Sequence, residues 1–143
     1  MLFTWNEDYS VEVPEIDAQH KHFLELANVI ITTAEKEGVI HEELVPLVKN
    51  LNEYALYHLT TEERYFAEFQ YEGAAMHIEM HNVFRTQMHN YEVMVDNENN
   101  DAKIIAKDLA LFAGNWLQSH IIIMDKKYSM NFHEHGLGAS ANA

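Results

Sequence analysis

The sequence predicts an all-α protein, an up-down-up-down four-helix bundle preceded by an extended N-terminal arm. Three observations predict it. Only 2 prolines and 5 glycines interrupt 143 residues, so long stretches run without a break. Within those stretches apolar residues recur at the three-and-four spacing of a helix rather than in alternation. The stretches number four and their connections are short, which makes sequential helices antiparallel neighbours.

Residues 1–16 read as the arm: Trp5, Tyr9, Val11 and Val13 are placed to pack inward, and Pro14 disfavours helix at the residue before it. Asp17 is then the expected cap of the first helix. Phe23, Leu24, Ala27, Ile30, Ile31 and Ala34 form its apolar stripe, and Gly38 marks its end. A second helix is expected from about 42 to 70. Pro46 lies within it, so either the regular helix begins nearer Leu44 or its first turns are kinked. A turn at Gly73 leads to a third helix over about 74–96. The polar run Asn97-Glu98-Asn99-Asn100 separates it from a fourth over about 101–128. Residues 129–143 read as a loose tail, and the whole of 1–143 as one domain. No internal repeat or low-complexity segment is present.

Composition narrows the chemistry. Against 23 Asp+Glu stand 9 Lys+Arg, and the net charge of -14 repels phosphate backbones and anionic lipid, so nucleic acid is not an expected partner. With no cysteine there is no disulfide, thiol nucleophile or thiolate metal site, and any metal must take His and carboxylate ligands. The opening decapeptide MLFTWNEDYS lacks a basic leader followed by an apolar run. No stretch reaches the roughly 18 uncharged apolar residues of a membrane span. A cytoplasmic location is therefore expected.

The 10 histidines carry the functional signal. Residues four apart on a helix are about 40° apart around it and about 6 Å apart along it. His58 and Glu62 therefore share a face of helix two, and His77 and His81 a face of helix three. With so many histidines, one such pair arises by chance; the whole set does not. His20 stands at the start of helix one, His120 and Asp125 near the end of helix four, His58 and Glu62 in the latter half of helix two, and His77 and His81 at the start of helix three. In an antiparallel bundle those positions share one level. Seven potential ligands then converge on one end of the interior, an arrangement in which metal satisfies many buried polar groups at once. One spacing is awkward. His120 and Asp125 are five apart, about 140° around a regular helix, so either they approach from two sides or a π-type widening joins them. His22, His41, His89, His133 and His135 are not expected to touch metal: His22 points away from His20, His89 lies two turns beyond His81, and the others sit at element ends or in the tail.

Read together, these segments resemble the hemerythrin family over nearly the whole chain up to Tyr128. Trp5 and Tyr9 in the arm, Ile16-Asp17-Ala18-Gln19-His20-Lys21, His58-Leu59-Thr60-Thr61-Glu62-Glu63, His77-Ile78-Glu79-Met80-His81 with Phe84, and Trp116-Leu117-Gln118-Ser119-His120-Ile121 with Asp125 and Tyr128 carry the resemblance. The departures are Glu12 where the family commonly has Gly, Leu59 for Phe, Phe66 for Met and Glu72 for Pro; they bear on pocket shape. The resemblance implies two iron ions with an oxo or hydroxo bridge: His77, His81 and His120 on one, His20 and His58 on the other, Glu62 and Asp125 bridging. Two six-coordinate irons need about twelve bonds, and these side chains with one shared oxygen supply about eleven. The vacancy falls on the two-histidine iron, where dioxygen is expected.

Reversible dioxygen binding for storage, transport or delivery, without catalysis, is the expected function. Carboxylate-rich diiron enzymes and ferritins carry Glu-x-x-His elements, which this chain lacks, and no HExxH or phosphate-binding glycine loop is present. Trp116, Leu117 and Ile121 flank His120 and are candidate pocket walls, although ordinary core packing explains them equally well. An oxygen or redox sensor and a diiron oxidase or iron-handling protein are the alternatives. Sensing usually requires an output domain, for which this sequence offers no room; the choice of oxygen recipient is open.

Overall fold

A computed structural model describes residues 2–138. Five α-helices and no strands occur among the described residues: α1 (Pro14–Ala34), α2 (His41–Glu68), α3 (Ala74–Asp96), α4 (Ala102–Ile123) and the short α5 (Ser129–Glu134). The first four pack in the order α1–α2–α3–α4, with α4 closing back onto α1. This is the all-α four-helix bundle read from the sequence. The stripe Phe23, Leu24, Ala27, Ile30, Ile31 and Ala34 is entirely buried. It meets Leu44, Val48, Leu51 and Ala55 of α2, Phe84 and Met88 of α3, and Ala106, Leu109, Ala110, Ala113 and Leu117 of α4 in one core. No helix among the described residues is long and apolar enough to cross a membrane.

The boundaries differ from expectation in three places, each for a local reason. First, α1 begins at Pro14, three residues before Asp17, and Val13 occupies its N-cap with no side-chain bond. Proline fits the first helical position because its missing N–H has no partner there anyway. Asp17 acts differently: its carboxylate accepts from the Val11 N–H at 2.9 Å and the Ser10 hydroxyl at 2.5 Å, folding the arm back onto the helix. Farther out, Asn28 holds the arm from both sides, accepting from the Phe3 N–H and donating to the Phe3 carbonyl at 2.8 Å each. Second, α1 ends at Ala34 rather than near Gly38, while α2 runs unbroken through Pro46 from His41. Pro46 and Glu42, whose carbonyl loses its helical partner, both lie on the exposed face of the helix, where an unpaired carbonyl is tolerated. Third, α4 stops at Ile123, a 3₁₀ turn covers Asp125–Tyr128, and Ser129–Glu134 is helical where a loose tail was expected. Phe132 is completely buried in that segment, and the tail beyond 138 lies outside the described residues. At the other end of α4 the side chain of Asp101 caps the N–H groups of Lys103 and Ile104.

Glu12 joins the two chain ends. Its φ is +59°, the left-handed region, and its carbonyl accepts from His133 Nε2 at 2.9 Å. A Cβ is strained at such a φ, which is the physical use of the glycine common here in the resembling family. Replacing Glu12 with Gly is therefore expected to raise stability by about 0.5–1 kcal/mol, read as a higher midpoint in chemical denaturation. An unchanged or lower midpoint would show that the side chain compensates for the strain.

Candidate metal centre

Four helices and the turn after the last deliver seven side chains to one end of the bundle, and all seven are buried: His20 from α1, His58 and Glu62 from α2, His77 and His81 from α3, His120 from α4 and Asp125 from the turn after it. They fall into two groups whose ligand atoms lie within 4.8 Å of one another. One comprises Glu62, His77, His81, His120 and Asp125, the other His20, His58, Glu62 and Asp125. The two carboxylates belong to both. Asp125 divides itself between the groups, with Oδ1 at 2.9 Å from His77 Nε2 and 3.1 Å from His120 Nε2, and Oδ2 at 3.1 Å from His20 Nε2. Glu62 Oε1 stands 3.3 Å from both His58 Nε2 and His81 Nε2.

The awkward spacing of His120 and Asp125 resolves without a widened turn. After Ile123 the chain tightens into 3₁₀ geometry, with Met124 at φ -113° and ψ -51°, and this swings the Asp125 carboxylate under His120. The Met124 N–H still bonds the His120 carbonyl at 2.7 Å, so the break comes about one turn beyond the histidine.

The donor set fits a pair of metal ions on two counts. The first is polar satisfaction. His20 Nε2, His58 Nε2, His81 Nε2, Glu62 Oε1 and both Asp125 oxygens are buried with no hydrogen-bond partner. So many orphaned atoms pointing at one place would be costly without a cation. The second is spacing. An octahedron with bonds of about 2.1 Å has edges of about 3.0 Å. His77 Nε2, His120 Nε2 and Asp125 Oδ1 form a triangle with sides of 2.8, 2.9 and 3.1 Å, the outline of one octahedral face.

Electrostatics agree with that set. Burial holds His58 down at about 4, so it presents a neutral imidazole. Burial also opposes the charging of His81, but the facing Glu62 carboxylate and the hydrogen-bonded Glu63 overcome it and raise His81 to about 9. A metal arriving at His81 therefore displaces a proton. Burial pushes Asp125 upward, yet His120, His20 and His77 hold it well below the usual carboxylate range. Glu62 is lowered too, since His58 and His81 outweigh burial and the nearby Asp125. Both shared carboxylates are anions.

Five further residues support the ligand candidates and were not assigned such roles from sequence. His58 Nδ1–H donates to Gln19 Oε1 at 2.8 Å. The Gln19 amide nitrogen donates in turn to Thr61 Oγ1, which fixes which end of the amide faces His58. His81 Nδ1–H donates to Glu63 Oε2 at 2.8 Å, and Arg85 grips both Glu63 oxygens, at 2.8 and 3.0 Å. Tyr128 donates its hydroxyl to Glu62 Oε2 at 2.5 Å. The signal for two of these was available: Glu63 is the immediate neighbour of Glu62, and Gln19 precedes His20. Which helix each would face depends on packing, and this is invisible in one sequence.

The candidate wall residues separate. Leu117 and Ile121 are fully buried in the core. Trp116 is only partly buried; its ring stacks on His120 at 4.3 Å and on Phe84 at 4.1 Å. It also lines a surface cleft of about 130 Å³ with Met80, Ser119, His120, Ile123 and Met124. On the other side Phe23 is the aromatic ring against His58, at 6.4 Å. Of the remaining histidines, none joins either group. His22 is half exposed beside Glu25 and Tyr54, His89 is exposed, and His135 stacks on Phe69.

Comparison with known proteins agrees with this architecture. Residues 11–130 match the family model for the hemerythrin HHE cation binding domain. A bacteriohemerythrin of Clostridium acetobutylicum is 23% identical over 89% of this chain and 98% of its own length. One from Stenotrophomonas maltophilia is 25% identical over 90% of this chain and 80% of its own. Among solved structures, wild-type hemerythrin superposes with a TM-score of 0.79 at 24% identity, covering 91% of this chain and 97% of that one. At that identity the likeness speaks for the fold.

Proposed function

The chain belongs to the hemerythrin family, and on that premise we propose that it is a non-haem diiron protein that binds dioxygen reversibly, for storage or delivery rather than catalysis. The observation that carries this reading is the division of seven buried donors into two overlapping groups that share Glu62 and Asp125. One metal cannot use seven side chains; two metals bridged by two carboxylates use them all. In this reading His77, His81 and His120 would hold one iron and His20 and His58 the other, with Glu62 and Asp125 shared between them. Such a pair of irons would supply two electrons to dioxygen, with His20 and His58 holding the iron that takes it.

The protein's part is to hold, orient and exclude. Five imidazoles against two carboxylates leave the site poorer in negative charge than carboxylate-rich oxygen-activating centres, which favours release of oxygen over its cleavage. Phe23, Leu117 and Ile121 are wholly buried and surround the centre with apolar side chains, which favours exclusion of water. Tyr128 steadies Glu62 through a hydroxyl that burial, together with Glu62 and Asp125, holds well above its ordinary pKa; it is a donor, not a base. Trp116 packs against His120, on the side of the group built on His77, His81 and His120.

Metal analysis and an oxygen cycle test the proposal. Two irons per chain are expected, as is a reduced protein that is nearly colourless, gains a charge-transfer band in air and loses it when the gas is removed. Azide is expected to compete for the same position. Zinc as the native metal, or one iron per chain, sinks the diiron reading. Net oxygen consumption with each cycle replaces the carrier with an oxidase.

A further inference from the structure

The two metal groups differ in what stands behind them. In the five-residue group, His81 donates its outer N–H to the anionic Glu63, which Arg85 clamps through both oxygens. In the four-residue group, His58 makes the corresponding bond to Gln19, a neutral amide held by Thr61. Both bonds are 2.8 Å long, so geometry is matched and charge is the difference. The outer nitrogens of His20, His77 and His120 have no hydrogen-bond partner, so the contrast between the groups lies in His58 and His81. A carboxylate behind an imidazole makes it a stronger electron donor to metal, and it holds the ring in the tautomer that offers Nε2; an amide does the second and little of the first.

We propose that this unequal backing ranks the two metal positions. The group built on His77, His81 and His120 fills first and loses metal last, and Glu63 is the positioning residue that sets much of the gap. Arg85 keeps the Glu63 carboxylate on His81 rather than in solvent, since Glu63 lies at the edge of the site with its side chain 21% exposed. The consequence is a protein that exchanges or loses the metal of the His20–His58 position first. That position is the one assigned to oxygen, so inactivation would begin there and leave a singly loaded chain. This inference rests on the diiron reading.

Donor number alone favours the same filling order, so the variants carry the test. The metal-free protein is titrated anaerobically with Co(II) against a competing chelator, and the visible ligand-field bands follow each step. Wild type is expected to take two equivalents in two resolved steps. Glu63→Gln keeps an acceptor and removes the charge; it should weaken the first step about tenfold and leave the second nearly unchanged, while Glu63→Ala should weaken it about 10–100-fold. Gln19→Glu, the reciprocal change, should tighten the second step and so narrow the gap from the other side. Circular dichroism of each metal-free variant confirms the helical content. A purely structural role for Glu63 would move both steps together, and that result overturns the inference. So does a first step unmoved by Glu63→Gln, with two equivalents still bound. A single equivalent in wild type overturns the diiron reading, and with it the ranking.

Discussion

Glu62→Ala is expected to empty both metal positions, with apparent affinity falling by more than about 100-fold. Loss of a group that merely supports a ligand already costs about 10–100-fold. Glu62 stands directly in both groups, with Oε1 equidistant at 3.3 Å from His58 Nε2 and His81 Nε2. Its removal also leaves the Tyr128 hydroxyl buried without an acceptor. The neighbouring Glu63→Ala is expected to weaken only the three-histidine position, and His22→Ala and His89→Ala to change nothing, because neither histidine approaches the site. Iron content of the purified variants decides. Two irons retained in Glu62→Ala would refute a bridging role, and loss of iron in His22→Ala would mean that the assignment of helix faces is wrong.

Phe132→Ala is expected to cost about 3–5 kcal/mol, the range for truncating a fully buried aromatic, and to lower the melting temperature by about 10 °C or more. Phe132 is completely buried although α5 is only 6 residues long. Its ring stacks on Tyr128 at 4.2 Å and meets Phe66, Phe69 and Tyr65 at 5.9, 5.7 and 5.5 Å. Phe66 in turn lies 4.8 Å from His77 and 5.6 Å from Tyr128. The C-terminal helix thus plugs the end of the bundle immediately outside the candidate metal centre. Thermal unfolding of the metal-free protein separates packing from metal loss. A change below about 1 kcal/mol would mean that the segment is loose in solution, as its sequence alone suggested.

The helices were legible wherever burial follows a regular stripe. α3 spans the expected residues, and the α1 stripe is buried throughout. The ends were less legible because they depend on single backbone groups. Asp17 has the chemistry of an N-cap, yet its carboxylate is taken by Ser10 and Val11 of the arm, and Pro14 opens the helix instead. The segment after Tyr128 looked loose since one Phe in a polar sequence shows no periodicity; Phe132 is buried against an aromatic cluster from other elements.

At the site, residue type and order along the chain determined a great deal. Two pairs at four-residue spacing, His58 with Glu62 and His77 with His81, joined by His20, His120 and Asp125 at matching helix depths, point to metal chemistry, because helix geometry alone puts each of those pairs on one face. The tertiary structure decided everything that depends on neighbours from another helix: that Asp125 reaches both groups through a tightened turn, that Tyr128 binds Glu62 across 66 residues of sequence, and that an anion backs His81 while an amide backs His58. A sequence fixes the spacing within a helix to the fraction of a turn. The meeting of two helices is set by their packing, and the strength of each imidazole as a ligand is settled by whichever side chain the packing brings behind it.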